Sequence, residues 1–314
     1  MKVKLVFIIL LLCPNARAQT AEPSRKMAVT FDDLPYAATG EAPYLPNAQH
    51  ATTEILRTLQ AHRVPVVAFV NEVKLQVNGE VDARIALLQQ WVDAGALLGN
   101  HTYSHPDLNN LTVEQFEDEI VKGEVVLRRL MQSRQPYQLY FRHPFTHTGD
   151  TQAKKEAIEN FLAARGYKVT PHTIENSDYI FNPVYVRALR NKDEALAKRL
   201  RAAYLDFTVA ATEFAEHISP QIFGREIPQT FLLHANDLNA DCLEEMLQRF
   251  QARGYQFVSL AEAMADPAYQ TKDTYIAKFG PTWLWRWMKS KGMKLSFKDD
   301  PEPPQWVKDL YNQK

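Results

Sequence analysis

Short apolar runs of strand length alternate with amphipathic helical segments along most of this chain, and the alternation limits the folds it can adopt. The candidate strands lie at 27–32, 65–70, 96–99, 138–142, 167–170, 230–234 and 255–259. Helical periodicity predicts helices near 48–62, 82–94, 112–133, 151–165, 185–216 and 241–253. Repeated strand–helix units indicate an α/β fold with a parallel sheet, either open or closed into a barrel.

The chain is long enough for one large domain with additions. It has 314 residues, of which 46% are hydrophobic. We predict a main domain over 19–267 that carries a helical insertion at about 180–225, a stretch long for a simple crossover. Residues 268–314 follow the last strand–helix unit and contain four tryptophans, at 283, 285, 287 and 306. We expect this C-terminal extension to pack on the main domain, because large aromatic side chains are usually buried.

The N-terminus is typical of an export signal. Two lysines precede the apolar run "LVFIILLLC", and Ala16 and Ala18 fit a cleavage site, so we predict a signal peptide over 1–18. The run is too short to span a bilayer as a helix, although a membrane anchor is the alternative. Cys13 would suit a lipoprotein, but the bulky Leu12 before it argues against one. We expect a periplasmic or secreted protein with no integral membrane segment after cleavage.

Charge and cysteine content exclude several classes of partner and site. Cleavage after Ala18 removes three of the 36 Lys and Arg residues and none of the 37 Asp and Glu residues, which leaves a net charge of −4. This balance predicts no nucleic-acid partner. Cys242 would be the remaining cysteine, so neither an intramolecular disulfide nor a cysteine metal cluster is available. Nothing in the sequence indicates an obligate protein partner.

Polar residues stand where the predicted strands end, although strand interiors disfavour carboxylates. In a parallel α/β barrel the carboxyl ends of all strands face one rim, where the catalytic groups of such barrels lie. We therefore expect these side chains to be neighbours in space. They are Asp32, Asp33, His101, His105, Arg142, Asp178 and His234.

The pair His101 and His105 suggests a metal site. Two histidines four residues apart can share one face of a helical turn or flank a tight loop, and a carboxylate from another strand completes a His₂Asp set. Such a set leaves positions open for water and substrate. The pair alone fits two surface histidines equally well. Its combination with the strand-end acids is what predicts a metal.

The motifs "TFDD", "HTYSH", "RHPF", "ENSDY" and "LLH" resemble, in order and spacing, those of polysaccharide deacetylases, the NodB-homology group also called carbohydrate esterase family 4. The resemblance covers roughly residues 26–262. It implies a distorted (β/α)7–8 barrel, TIM-like and of the NodB type, with the inserted helix and the C-terminal extension as additions. It also implies a hydrolase that removes acetyl groups, mostly from N-acetylglucosamine units, and that uses a divalent metal.

The resemblance implies metal and base roles for matched residues. Asp33, His101 and His105 would hold the metal, expected to be Zn²⁺ with Co²⁺ or Ni²⁺ as alternatives. Asp32 would be the general base that takes a proton from the attacking water. Arg142 would pair with Asp32 and keep its carboxylate ionised. The two adjacent acids would thus have different tasks.

It also implies roles around the leaving group and the acetyl group. His234 would protonate the departing amine as general acid, and Asp178 would fix its tautomer. The backbone N–H of Phe145 would stabilise the oxyanion, and Leu232 would line the pocket for the acetyl methyl group.

Two positions depart from the family pattern. Tyr179 stands where the fourth motif commonly has tryptophan, so the shape of the substrate pocket is open. Phe145 stands where tyrosine is frequent, which changes little because the relevant group is main-chain. His143, beside the third motif, is a further candidate for contact with sugar hydroxyls, against the alternative that it is incidental.

The sequence thus predicts an exported, metal-dependent hydrolase whose partner is an acetylated glycan, with N-acetyl groups as the favoured target. One alternative is an O-acetyl esterase that acts on a glycan such as xylan. Another is a metal-retaining glycan-binding protein without turnover. Such a protein need not keep the base, acid and arginine, all of which are present here. The tryptophans at 283–287 offer a platform for sugar rings as the alternative to packing.

Overall fold

The computed structural model describes residues 25–39 and 44–313. The predicted signal peptide, residues 1–18, lies outside the described residues. Within them, no helix combines the length and the apolar character that crossing a lipid bilayer requires.

In the described part of the chain, eight strands form one sheet whose paired neighbours are all parallel. The strands are β1 (Arg25–Leu34), β2 (Val66–Val70), β3 (Leu97–Asn100), β4 (Leu139–Phe141), β5 (Tyr167–Val169), β6 (Ile174–Glu175), β7 (Gln229–His234) and β8 (Tyr255–Phe257). Their order is β5-β4-β3-β2-β1-β7-β6, and β8 pairs with the start of β1. The first strand therefore lies inside the sheet and pairs with three others, β2, β7 and β8.

The sheet curls into a barrel that is not closed. β5 and β6 are consecutive in the chain, yet they stand at opposite ends of the strand order, and no pairing between them occurs among the described residues. The residues between them bond to β4 and β7 instead. The N–H of Thr170 donates to the carbonyl oxygen of Phe141, and the N–H of Thr173 donates to that of Thr230. The predicted α/β fold, a distorted barrel, is confirmed, with its seam between β5 and β6.

Helices cover the outside of this sheet and continue past its last strand. They are α1 (Tyr44–Ala61), α2 (Val81–Asp93), α3 (Val113–Lys122), α4 (Val125–Leu130), α5 (Gln152–Ala164), α6 (Asp178–Arg190), α7 (Glu194–Phe223), α8 (Asp237–Ala252), α9 (Leu260–Met264), α10 (Trp283–Ser290) and α11 (Gln305–Asn312).

The single helix predicted over 112–133 is wrong, because the chain breaks it into α3 and α4 at Gly123. A Cβ atom on Gly123 would lie 2.7 Å from the carbonyl carbon of Thr102. The glycine thus lets the end of α3 approach the loop that carries the two histidines. α4 then begins as a separate helix. In its first turn, the N–H of Leu127 donates to the buried carboxylate of Glu72 at 2.8 Å.

The helix predicted over 185–216 is likewise two helices, α6 and α7. Lys192 has a φ of 55°, in the left-handed region, which turns the chain between them. Asp193 then caps α7 by accepting a bond from the N–H of Leu196 at 2.9 Å. The two-residue strand β6, which ends just before α6, is absent from the sequence-based prediction because it is too short to show a period.

The main hydrophobic core fills the space between the sheet and its helices and extends into the C-terminal residues. Trp283 and Trp287 of α10 are buried members of this core, and Trp285 and Trp306 are partly buried against it. The run 283–287 is helical rather than extended. A second, smaller core lies between α3, α5 and β4 and contains Phe116.

Candidate active site

The carboxyl ends of the strands bring most of the predicted site residues to one rim. Asp32 near the end of β1 is the register partner of His234, the last residue of β7. The last residue of β3 pairs with Phe141 of β4, which places the next residues, His101 and Arg142, side by side. Residues far apart in sequence therefore meet because parallel strands end at a common edge.

Asp33, His101 and His105 form a group that could hold a metal ion. One ligand atom from each lies within 4.8 Å of the other two. The Oδ1 atom of Asp33 is 3.6 Å from Nε2 of His101 and 3.5 Å from Nε2 of His105. This oxygen is buried and has no hydrogen-bond partner among the described residues. A tetrahedral ion with bonds of about 2.0–2.1 Å holds its ligands about 3.3 Å apart, so the three residues fit a divalent cation.

The rings of the two histidines are held by contacts on the sides that face away from Asp33. Nδ1 of His101 lies 2.8 Å from the carbonyl oxygen of Arg142. Since a carbonyl oxygen can only accept, Nδ1 carries the proton and the lone pair of Nε2 faces Asp33. Burial, with the nearby His105, holds the pKa of His101 well below its usual value, so the ring is neutral, as a ligand must be. The ring of His105 packs edge-on against Phe145, with centroids 4.6 Å apart.

The backbone that carries these ligands is held in a rarely populated conformation. Asp33, Thr102 and His105 have φ values of 70°, 67° and 60°. The register between β1 and β2 is irregular between Phe31 and Leu34, so β1 bulges where Asp33 leaves it. Left-handed backbone at residues other than glycine persists only where the surroundings determine it, and it often marks functional positions.

Lys74, which the sequence analysis did not single out, holds the other side of the Asp33 carboxylate. Its Nζ donates to the carbonyl oxygen of Asp33 at 2.9 Å and lies 3.4 Å from Oδ2. Burial raises the pKa of Asp33, but the positive charge of Lys74 and the neighbouring ring of His105 more than offset this and hold the pKa far below its usual range. The carboxylate stays ionised, with Oδ2 engaged by Lys74 and Oδ1 free for a cation.

Asp32 has a different environment from its neighbour. Its side chain is almost fully buried, with Oδ2 3.8 Å from Nη1 of Arg142 and 3.8 Å from Nε2 of His101. Oδ1 has no hydrogen-bond partner among the described residues. Burial raises the pKa of Asp32 to about 6, against the opposing charges of Arg142 and His234. Asp32 is therefore ionised at neutral pH and still basic enough to accept a proton.

Arg142 is fully buried and is positioned by Thr30. Its Nη2 donates to Oγ1 of Thr30 at 2.9 Å, and its guanidinium carbon lies 4.9 Å from the centre of the Phe69 ring. Thr30 stands two residues before Asp32, so both side chains project from the same face of β1. That spacing is the sequence signal that would have found Thr30.

The partly exposed His234 pairs with the buried Asp178 opposite Asp32. Nδ1 of His234 lies 2.6 Å from Oδ1 of Asp178, and the backbone N–H of His234 donates to Oδ2 at 2.9 Å. Asn239 and Asn236 donate to the same Oδ2, at 2.6 and 3.1 Å. Burial lowers the pKa of His234, but Asp178 outweighs it and raises the pKa to about 10. The ring is thus an imidazolium at neutral pH, with its Nε2 proton available.

The remaining predicted residues differ in their exposure. Phe145 adopts a φ of 54° and is 54% exposed, and Tyr179, in the first turn of α6, is 55% exposed. Leu232 is buried in β7 as the register partner of Thr30. The expected contact between His143 and sugar hydroxyls finds no support. Its ring is buried between the second core's Phe116 and Phe141, with centroids 6.2 and 4.9 Å away.

Residues 19–161 match the sequence model of a family described as polysaccharide deacetylase. Over these residues, somewhat less than half of its length, the chain is similar to the polysaccharide deacetylase family. The match covers Asp32, Asp33, His101, His105 and Arg142, whose geometry is given above.

The curated relatives are deacetylases of amino-sugar polymers. A peptidoglycan-N-acetylglucosamine deacetylase of Bacillus cereus is 28% identical over 137 residues, which cover 44% of this chain and 42% of the relative. A chitooligosaccharide deacetylase of Rhizobium leguminosarum bv. trifolii is 32% identical over 102 residues, which cover 32% of this chain and 39% of the relative. The matches therefore span about two-fifths of these relatives' own length.

A solved structure agrees with the fold. The crystal structure of a polysaccharide deacetylase from Bacillus cereus aligns with a TM-score of 0.50 at 17% identity, over 75% of this chain and 91% of that one. At this identity the alignment supports the distorted barrel architecture alone.

Several site residues escaped the motif-based prediction for a common reason. Lys74 follows β2, and Asn236 and Asn239 begin α8, so each reaches the site from outside the motifs. Asn236 does carry a local signal, because it caps α8 by accepting a bond from the N–H of Asn239 at 2.8 Å. Lys74 has no such signal.

Proposed function

We propose that this chain is a metal-dependent deacetylase that hydrolyses acetyl groups, preferably N-acetyl groups, of a cell-envelope or environmental polysaccharide or oligosaccharide. One arrangement carries the proposal. The unpartnered Oδ1 of Asp33 lies between two histidines, and the adjacent Asp32 is in register with His234 on the neighbouring strand. A cation site, a base and an acid thus share one rim.

Asp33, His101 and His105 would hold the divalent cation, for which we expect Zn²⁺, with Co²⁺ or Ni²⁺ as alternatives. When bound, such a cation polarises the acetyl carbonyl group and lowers the pKa of water. The donor set of two imidazoles and one carboxylate suits these metals and leaves positions open.

Asp32 takes the proton of the attacking water. Its buried carboxylate has an Oδ1 without a partner among the described residues, and Arg142 lies 3.8 Å from its Oδ2. The positive charge of Arg142 favours the ionised form of the carboxylate, whose Oδ1 would accept the proton.

His234 donates a proton to the departing nitrogen as the C–N bond breaks. Asp178 keeps the imidazolium charged and engages its Nδ1–H. The Nε2–H is therefore the group that can donate to the substrate. The environments of Asp32 and His234 push their pKa values apart, to about 6 and about 10, which supports Asp32 as the base and His234 as the acid.

The acetyl group would lie between Phe145 and Leu232. The left-handed backbone at Phe145 directs the local peptide units, and its N–H is the donor that we assign to the developing oxyanion. Leu232 would supply an apolar contact for the methyl group, and the exposed ring of Tyr179 is our candidate for contact with a sugar ring.

N-acetyl groups are the favoured target because an amine is a poor leaving group unless it is protonated. His234, held by the buried Asp178, would provide that proton. The named activities of the two curated relatives, on peptidoglycan N-acetylglucosamine and on chitooligosaccharides, support the same substrate class. An acetylated glycan is thus the partner we propose, and we expect no nucleic-acid partner.

The proposed location is the periplasm or the cell exterior, and it depends on the signal-like sequence of residues 1–18. Peptidoglycan and environmental glycans are both accessible there.

The test is a screen for acetate release from chitooligosaccharides, peptidoglycan, acetylated xylan and a bacterial exopolysaccharide, with metal analysis of the same sample. Asp32→Asn, which keeps the side-chain volume, is the matched control. We expect metal-dependent release from an N-acetylated glycan by the wild type and little release by the variant. Release from xylan alone would favour the O-acetyl esterase. Tight binding without release would favour a glycan-binding protein.

A further inference from the structure

The loop that carries Phe145 is strained and needs support from outside itself. Phe145 and Thr146 are consecutive residues with φ values of 54° and 55°. Two adjacent non-glycine residues in the left-handed region are unfavourable in isolation, and such a conformation persists only where surrounding contacts impose it.

A buried arginine of α10 supplies those contacts. Arg286 is fully buried, and its Nη2 donates to the carbonyl oxygen of Thr146. Its Nη1 donates to Oγ1 of Thr148 at 2.9 Å and to Oδ2 of Asp273 at 3.1 Å, and its Nε donates to the carbonyl oxygen of Pro281 at 3.0 Å. One guanidinium group therefore links the loop to the C-terminal extension through a planar set of donors.

The charge of Arg286 belongs to a buried network that also includes α5. Asp273 accepts a bond from Lys155 at 2.8 Å as well as from Arg286, and Lys155 lies 3.2 Å from Oγ1 of Thr148. Both cations have almost no exposed surface. Because unpaired buried charges are costly, this network constrains all the elements that it joins.

The C-terminal extension also touches the loop directly. A Cβ atom on Gly280 would lie 2.1 Å from the carbonyl oxygen of Phe145, so only glycine fits there. The hydroxyl of Thr146 donates to the carbonyl oxygen of Gly280. On the same side, Nδ2 of Asn109 donates to the carbonyl oxygen of Lys278 at 3.2 Å.

We propose that Arg286 is a positioning residue of the active site, which fixes the peptide units of 145–148 and thereby aims the N–H of Phe145 at the reacting carbonyl. The effect of Arg286 on turnover rests on the proposed function. Its effect on the conformation of 145–148 does not. It places residues 273–286, which lie beyond the family match, inside the catalytic unit.

The catalytic consequence is a selective loss of turnover. Removal of an oxyanion donor lowers kcat by about 10²–10³-fold, and displacement of the donor should cost less. For Arg286→Met we expect kcat to fall roughly 10- to 100-fold, with KM and metal content close to those of the wild type. Arg286→Lys keeps the positive charge beside Asp273 but lacks the guanidinium group whose two Nη atoms bond to Thr146 and Thr148. It should therefore restore little of the lost turnover.

Arg187→Met is the matched control. Arg187 also joins the C-terminal residues to the body of the protein through main-chain acceptors, the carbonyl oxygens of Leu310 and Gln313, but it does not contact the loop. A general loosening of the C-terminus would affect both variants, whereas loss of loop positioning would affect only Arg286→Met.

Two measurements exclude a merely structural role. Millimolar guanidinium should raise kcat of Arg286→Ala by occupying the vacated space, and it should not raise kcat of Arg187→Ala. Amide hydrogen exchange at 145–148 should accelerate in Arg286→Met while exchange at 101–105 stays unchanged, and this readout needs no activity.

The inference is overturned if exchange at 145–148 is unchanged, whether or not the protein is a deacetylase. It is also overturned if the kcat of Arg286→Met stays within about twofold of the Arg187→Met value. If Arg286→Met does not fold, Arg286→Lys decides by the same two criteria. Absence of acetate release by the wild type would instead count against the proposed function, while the exchange result would still judge the loop.

Discussion

The two parts of the chain contribute different chemistry to one rim. Residues 25–161, within the family match, supply the candidate metal ligands and the pair of Asp32 and Arg142. Residues 162–313 supply the pair of His234 and Asp178 and the buried Arg286 that supports the loop of the first part. Activation of water and departure of the leaving group are thus assigned to separate parts of the sequence, so mutations should be able to separate them.

The largest effect should follow truncation after Pro267, which removes the end of the second part. Trp287 is completely buried in the main core, and emptying one buried tryptophan site alone costs about 3–5 kcal/mol. We expect a lower melting temperature or insoluble protein, and loss of activity with Arg286. Thermal melting and acetate release test this. A truncated protein that melts normally and loses only polymer binding would contradict it.

Asp33→Ala should empty the metal site and abolish activity together. It removes the oxygen that lies between the two histidines and leaves Lys74 without its carboxylate partner. Elemental analysis and acetate release on the same sample provide the test. Full metal occupancy in this variant would show that the ligands must be sought elsewhere on the rim.

Asp32→Asn should lose at least about 10²-fold in kcat, the scale of general-base catalysis, and keep its metal. The amide retains the volume of the side chain but cannot take a proton from water. Metal content should therefore separate the two adjacent acids. If Asp32→Asn empties the site while Asp33→Ala keeps it full, the two roles are reversed. Equal metal loss in both would make the pair a joint ligand.

His234→Ala alters the second part and should leave the metal of the first part in place. Turnover of an amide substrate should fall about 10²-fold or more, because the amine must leave protonated. An acetate ester, with its better leaving group, should lose less. The ratio of amide to ester turnover measures the difference, and an equal loss on both would remove the general-acid role from His234.

The smallest predicted change is in the pH profile, whose two limbs belong to the two parts. Asp32 must be ionised, so activity falls as pH drops through its pKa, which is about 6 without a cation. His234 must be protonated, so activity falls as pH rises through its pKa, about 10 without a cation. A bound divalent cation favours the ionised acid and the neutral ring, and both limbs should therefore lie below these values.

The profile of kcat/KM from about pH 4 to 11 locates both limbs. His234→Ala should lose the upper limb and retain the lower one. An upper limb that survives in this variant belongs to another group.

The strand-end residues could be predicted because their signal is local. Each polar group follows an apolar run of strand length. Parallel strands bring their carboxyl ends together, whatever the length of the chain between the strands. The strand β1 and the adjacent acids illustrate this: the sequence alone predicted that Asp32 and Asp33 lie at the end of the first strand. The positions of β5, β7, α1, α2, α5 and α8 followed from the same periodicity.

The remaining features depend on contacts that no local pattern contains. The break at Gly123 depends on how closely Thr102 approaches, and Lys74 and Arg286 reach the site from elements with no chemical motif of their own. His143 shows the opposite error. It flanks a motif, yet its ring turns into the second core, because a flanking position does not determine the direction of a side chain.

The bond from Arg286 to Thr146 joins residues 140 positions apart, and this separation has a consequence for the order in which the protein becomes competent. Ribosomes make chains from the N-terminus, at about 5–20 residues per second. The candidate metal ligands and the proposed base are synthesised long before Arg286. We therefore expect a nascent chain to bind metal early but to acquire a correctly aimed catalytic loop only as its last residues fold into place.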